Sequence, residues 1–273
     1  MMPKQTDQST QIFAEHAGFW RQIWHLAWMD VQKSYRGAVL GWLWVIIRPL
    51  IMLGFYWFII AVGLHSDSAA GEKHQYLPWL ITGLCSWFFI SDMINAGVGA
   101  FRKYKFLIAK TKFPVATIPT IVLTSNFIVH AILLAIVLIY LSFTGHFALQ
   151  WLQLPLYVGL TLVMMWFWTL LAAPLGAISK DFTQLVKSLM RVLVWISGIL
   201  WSVHNVHVHW LREVMKLNPI YFLAEGYRKS LIDHHWFFKD LHGLIIFLAE
   251  LAILAAFALV IYKRSRKELA DIL

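Results

Sequence analysis

SYRGAVLGWLWVIIRPLIMLGFYWFIIAVG, residues 34–63, carries a basic start at Arg36. It then runs apolar for about 25 residues, enough to cross a hydrocarbon core of roughly 30 Å at the helical rise. Arg48 interrupts the run, with Pro49 directly behind it. An arginine inside a span is costly unless it pairs, snorkels or meets water. Proline removes a backbone donor and kinks a helix. The stretch therefore predicts a membrane helix with a break built into its cytoplasmic half.

The rest of the chain agrees with a membrane setting. Of its 273 residues 60% are hydrophobic and 14% charged, and the mean hydropathy is +0.65. Soluble domains are far more mixed. The single cysteine, Cys85, excludes an intrachain disulfide. A net charge of +9 points first to anionic lipid headgroups and second to a polyanionic cargo. No short apolar run follows a basic start in residues 1–38, so no cleavable signal peptide is expected.

Three parts follow from this reading. Residues 1–38 form a cytoplasmic N-terminal segment, 39–262 a transmembrane domain, and 263–273 a basic cytoplasmic tail. Within the first part, Trp20, Ile23, Trp24, Ala27, Trp28, Val31 and Tyr35 recur at helical spacing. That pattern predicts an amphipathic helix over residues 19–36 lying on the inner leaflet, tryptophans toward the headgroups. Six spans are expected, at 39–63, 76–98, 117–143, 154–178, 184–203 and 241–262. The fold class is thus an all-α integral membrane protein with six transmembrane helices. With the N-terminus inside, sixteen Lys and Arg fall on the inner side and six on the outer side. That asymmetry puts both termini in the cytoplasm.

Two connections stand out. FRKYKFLIAKTKFP, residues 101–114, alternates basic and apolar residues. It reads either as a solvated, lipid-facing segment or as a short helix that docks on a cytoplasmic partner. LNPIYFLAEGYRKSLI, residues 217–232, is too short and too charged to span. Asn218 is placed to cap it and Pro219 to start it. Ile220, Leu223, Tyr227 and Leu231 would share a face, and Glu225 and Arg228 could pair at i, i+3. A re-entrant or interfacial helix on the outer side is expected there.

The chemistry is sparse. No GxxxxGK[ST] phosphate loop occurs, so any ATP and Mg must sit on another chain. The acids placed within spans are Asp92 and Glu250, too few for an ion relay and more suited to pairing, with Arg48 as the available partner. No catalytic residue is assigned. HNVHVH, with His204, His207 and His209, lacks a convincing ligand set, and no metal site is assigned.

YRGAVLGWLWVIIRPL, KFLIAKTKFPVATIPT (residues 105–120) and ISKDF (178–182) resemble the ABC-2-type polysaccharide export permeases. WLITGLCSWFFI, LQLPLYV, VWISGILW, LNPIYFLAEGYRKSLIDHHWFF and ELADIL resemble the wall teichoic acid exporter branch of that family. Those relatives more often carry Arg where this chain has Lys180. The resemblance implies a complex of two permease copies and two nucleotide-binding ATPase subunits in the plasma membrane of a Gram-positive bacterium. Its cargo would be an anionic polymer on undecaprenyl diphosphate, moved from the inner to the outer leaflet, with no nucleic acid involved. Arg36 and Arg48 would meet the lipid diphosphate. Arg102, Lys103, Lys105, Lys110 and Lys112 would couple to the ATPase. Trp42, Trp44, Trp57, Trp195 and Trp201 would line the path, and Asn218, Tyr221, Glu225 and Arg228 would gate its outer end.

Other readings stay open. The same architecture serves O-antigen or capsule export. A membrane-embedded transferase acting on a polyprenyl-phosphate lipid would need carboxylates at the inner face, for which Asp92 and Asp181 are the candidates. An ion-coupled carrier would need more intramembrane acids.

Overall fold

A computed structural model describes residues 16, 18–63, 76–110 and 113–265. All regular elements among the described residues are helical. In chain order they are α1 (Trp20–Tyr35), α2 (Trp44–Trp57), α3 (Tyr76–Lys103), α4 (Lys105–Lys110) and α5 (Ile118–Phe143). There follow α6 (Leu154–Ile178), α7 (Lys180–Ile196), α8 (His209–Lys216), α9 (Pro219–Leu231) and α10 (Leu241–Ser265). Short 3₁₀ turns lead into α2, α5, α6 and α10, and a wide turn over Phe58–Gly63 continues α2. With these lead-ins, five helices are long and apolar enough to cross a membrane. The chain is therefore an all-α, multi-pass membrane protein. Helices dominate because hydrocarbon offers no partner for a backbone group that its own segment leaves unpaired.

α3 is the hub. It packs against α5, α6, α7 and α9, and most of its apolar window is buried inside the protein. Close approach there depends on small residues, which let membrane helices gain van der Waals contact. A Cβ on Gly176 of α6 would collide with the backbone carbonyl of Val98 in α3. α2 and α10 sit at the periphery, with only 11% of their apolar windows buried.

The structure corrects four expectations. First, the fifth span predicted over 184–203 forms earlier and shorter, and is not among the five helices long and apolar enough to cross a membrane. It is α7, which carries Lys180, Asp181, Lys187 and Arg191 and stops where Ser197 caps it and Gly198 turns to φ 62°. At about 26 Å of helical rise, against about 42 Å for α3, α7 lies along much of α3. It begins where Arg102 donates to Thr183 and hands over to a segment where Tyr76 donates to the Leu200 carbonyl at 3.0 Å. Second, α3 continues through Lys103, so Arg102 and Lys103 end a span helix rather than belonging to a loop. Third, the face of α1 splits. Ile23, Ala27 and Val31 are buried, α1 packing against α5, while Trp20, Trp24 and Trp28 turn outward. Fourth, of the two readings of α9 the interfacial one fails, because the helix is buried. Ten of its residues are buried, among α3, α6 and α10.

α9 is held by one side chain above all. Arg228 is 1% exposed. Its Nη1 donates to the Gly198 carbonyl at 2.8 Å, its Nη2 to Ile199 at 2.9 Å and its Nε to Trp79 at 3.4 Å. The guanidinium also lies 3.4 Å from the centre of the Trp79 ring. Glu225 pairs with Nη1 at 3.3 Å, the one anticipated contact. Asn218 caps α9 as expected, its Oδ1 accepting from Ile220 N at 2.9 Å, and its Nδ2 donates to Ser197 Oγ at 2.8 Å. Gly83 leaves room for the arginine, since a Cβ there would overlap Nη2.

Three outcomes follow for stability. Arg228→Ala should cost about 3–5 kcal/mol, the penalty for breaking a buried charged network, and lower the unfolding midpoint in lipid nanodiscs. Glu225→Gln removes a partner of a buried charge and should cost a few kcal/mol, less than Arg228→Ala, because three backbone carbonyls still hold the guanidinium. Gly176→Leu should sharply reduce the yield of folded protein in a size-exclusion assay, since the collision is with backbone.

Candidate functional site

The intramembrane arginine that the sequence places at the break in the first span faces a polar cavity of about 310 Å³. Four helices build it. α2 contributes Arg48, α3 Asp92 and Lys103, α5 Ser125 and Asn126, and α1 Asp30, Ser34 and Tyr35. Arg48 thus meets a roomy polar space rather than hydrocarbon, the situation in which a membrane arginine is tolerated. The groups share a field. Burial raises the Tyr35 phenol pKa first, the Asp92 carboxylate adds to the rise, and Arg48 opposes it. Of the two span acids expected to partner Arg48, Asp92 is in the cavity. Glu250 lies elsewhere, between Leu171 and Leu175 of α6 and the apolar side of α10.

At the margin of the cavity the chain ties three elements together. Asp30, 8% exposed, accepts from Lys103 Nζ at 2.7 Å and from the Tyr104 hydroxyl. Burial, then the Asp30 carboxylate, holds the Tyr104 phenol protonated, so it stays a donor. One residue back, Arg102 donates to Thr183 near the start of α7. The α3–α4 corner is therefore linked to α1 on one side and α7 on the other.

The residues singled out from sequence fall into separate places. Arg36 is exposed on the turn after α1 and does not line the Arg48 cavity. Lys105 is exposed on α4, a helix where a docking helix was one expectation. Lys110 ends α4, and Lys112 lies outside the described residues. Trp42, Trp44, Trp57 and Trp195 are all exposed, and Trp42 stacks near Tyr35 and Trp28, with ring centres 5.4 and 5.9 Å away. Trp201 packs on Val203, Met215 and Tyr221. At the far end from Lys103, Tyr221 and Glu225 line a second cavity of about 560 Å³ with Lys229, Trp236 and Asp240. Arg228 faces away from it, into the protein.

Sequence reasoning missed Asp30, Tyr104, Thr183 and Asn126. A signal for Asp30 was present: it is an acid beside Ala27 and Val31 on the apolar stripe of α1. Tyr104 and Thr183 carried none, because their partners come from distant segments.

Residues 21–232 match the ABC-2 type transporter family. The O-antigen export system permease protein RfbA of Myxococcus xanthus is 23% identical over 246 residues, which cover 89% of this chain and 91% of that one. Two O-antigen export system permease proteins RfbA of Klebsiella pneumoniae are 29% and 30% identical over 90 residues, a third of each chain. With the family match spanning most of the sequence and a bundle of apolar helices beneath it, the chain belongs to the ABC-2 type transporters.

Proposed function

We infer that this chain is the permease subunit of an ATP-driven exporter of a lipid-linked polysaccharide of O-antigen type. The observation that carries the reading is the likeness to the Myxococcus O-antigen export permease along nearly the whole of both chains. Wall teichoic acid came first in the sequence reading and O-antigen second; the relatives favour the reverse order. The expectation of a Gram-positive source loses its basis with it. The cytoplasmic membrane, with both termini inside, stands on the Lys and Arg asymmetry.

On this reading a separate subunit binds ATP and Mg and presses on α4, the exposed basic helix at the α3–α4 corner. Lys103 and Tyr104 pass the motion to α1 through Asp30, and Arg102 passes it to α7 through Thr183. Arg48, at the inner end, meets the diphosphate of the lipid carrier with a forked donor set. Two copies face each other across α2 and α7. Support for that comes from α7 itself. Gln184, Lys187, Ser188 and Arg191 form an exposed polar stripe beside exposed Leu185, Leu189, Val192 and Ile196. A polar stripe on an element that lies along α3 suits a water-filled path between protomers better than lipid.

The test is co-purification in lipid with the candidate ATPase, reading both ATP hydrolysis and export. The reading expects a stable complex. Neutralising Lys103, Lys105, Lys110 and Lys112 together should alter turnover. Asp30→Asn should leave hydrolysis intact and lower export roughly tenfold, in line with loss of a charge-assisted bond of about 1.5–3 kcal/mol. Failure to associate with any ATPase would remove the proposal.

A further inference from the structure

Glu250 faces an open groove of about 490 Å³ on the outside of the bundle, between α10 and Leu171 and Leu175 of α6. Ile253, Leu254, Phe257 and Ile261 complete its lining, so the carboxylate is the one polar side chain there. At the helical rise it lies about 13 Å from the start of α10 and about 22 Å from its end. That places it near the middle of a hydrocarbon core of roughly 30 Å. Among the described residues no hydrogen bond or ion pair holds Glu250. An ionisable group at that depth is costly unless it is paired.

Two observations say what covers the groove. Glu250, Leu254, Phe257 and Ile261 are spaced 4, 3 and 4 residues apart, the seam by which one helix packs along another. Ile253 and Phe257 are 58% and 61% exposed, so that seam is open. The carboxylate then fixes the charge: the occupant must bring a donor to mid-depth. Lipid headgroups lie half a bilayer away and lipid tails have no donor. The groove offers a water no second polar side chain.

We propose that the groove docks a transmembrane helix of another membrane protein, one whose lysine or arginine at mid-depth pairs with Glu250. Polar contacts between helices hold membrane proteins together, and a single polar residue in an apolar seam selects the partner and sets its register. This chain does not supply that helix itself. Arg48 faces its own cavity, and Lys187 and Arg191 belong to α7, on the face proposed for the second permease copy. α10 packs on α6 and α9, away from the α3–α4 corner where the ATPase is proposed to press.

The test uses the permease–ATPase complex in nanodiscs, with the photo-cross-linker benzoylphenylalanine in place of Phe257. The probes are three membrane-spanning leucine–alanine peptides of equal length, with arginine, glutamate or leucine at mid-depth. The arginine peptide should be captured roughly tenfold above the leucine peptide, a preference of about 1.4 kcal/mol. The glutamate peptide should do no better than leucine. Glu250→Gln should remove most of the preference, and Glu250→Lys should turn it toward the glutamate peptide, both with ATP hydrolysis retained as evidence of folding. The cross-linker at Leu259, 42% exposed on the opposite side of α10, should capture all three alike. In cells, the cross-linker at Phe257 should join a span that carries Lys or Arg at mid-depth, and changing that residue to Glu should restore capture by Glu250→Lys. Equal capture of the arginine and leucine peptides, a preference that survives Glu250→Gln, or a cellular cross-link only to lipid or to a second copy of this chain would overturn the proposal.

Discussion

The chain turns back on itself inside an apolar bundle, and that turn needs donors. α7 stops at Ile196, leaving the carbonyls of the next residues without helical partners. In hydrocarbon or a dry core each such group costs several kcal/mol. Arg228 supplies donors to Gly198 and Ile199, and Tyr76 supplies one to Leu200. Both side chains come from elsewhere in the sequence, so the re-entrant segment exists only when α3, α7 and α9 are packed together. The arginine is neutralised in part by Glu225 and in part by the Trp79 face, which lets a full charge sit buried. The charged pair that looked like a surface feature in the sequence is the fastening of the whole far end.

What was legible in the sequence was whatever depends on local composition. Apolar runs long enough to span gave α2, α3, α5, α6 and α10, and the Asn218–Pro219 start gave α9 its first turn. Arg48 pointed to a polar site because an arginine within a span is costly without a partner or water. What was not legible depends on partners distant along the chain. Residues 184–203 read as a span because their average is apolar, but Gly198 at a positive φ ends the helix early, and Lys187 and Arg191 mark a face rather than a loop. The stripe of α1 read as one membrane-facing surface because spacing alone cannot say which side meets α5. Asp30 shows the same gap: only the fold reveals that Lys103 and Tyr104 arrive to meet it.

These placements make the two ends of the bundle unlike in purpose. At the Lys103 end, polar groups gather around a cavity and the α3–α4 corner is tied to two neighbours by charged or hydroxyl contacts that can be remade. At the Arg228 end, the arginine's donors go mainly to buried backbone carbonyls. Further latches there are of the same kind: Gln153 donates to the His235 carbonyl at 2.6 Å and accepts from Phe237 N at 2.7 Å. On the proposed coupling, motion at the corner would move α1 and α7 relative to the buried contacts at the Arg228 end. Tyr221 and Glu225, rather than Arg228, line the cavity there.

The measurement that bears most directly on the account is the leaflet distribution of the lipid-linked polymer in cells depleted of this chain. Spheroplasts would be treated with a membrane-impermeant glycan-modifying enzyme, before and after restoring the wild-type protein. The account predicts that the polymer is made at normal length but shielded in the inner leaflet on depletion, and becomes accessible on restoration in an ATP-dependent manner. Polymer that is equally accessible with and without the chain, or that is never assembled without it, would contradict the export role.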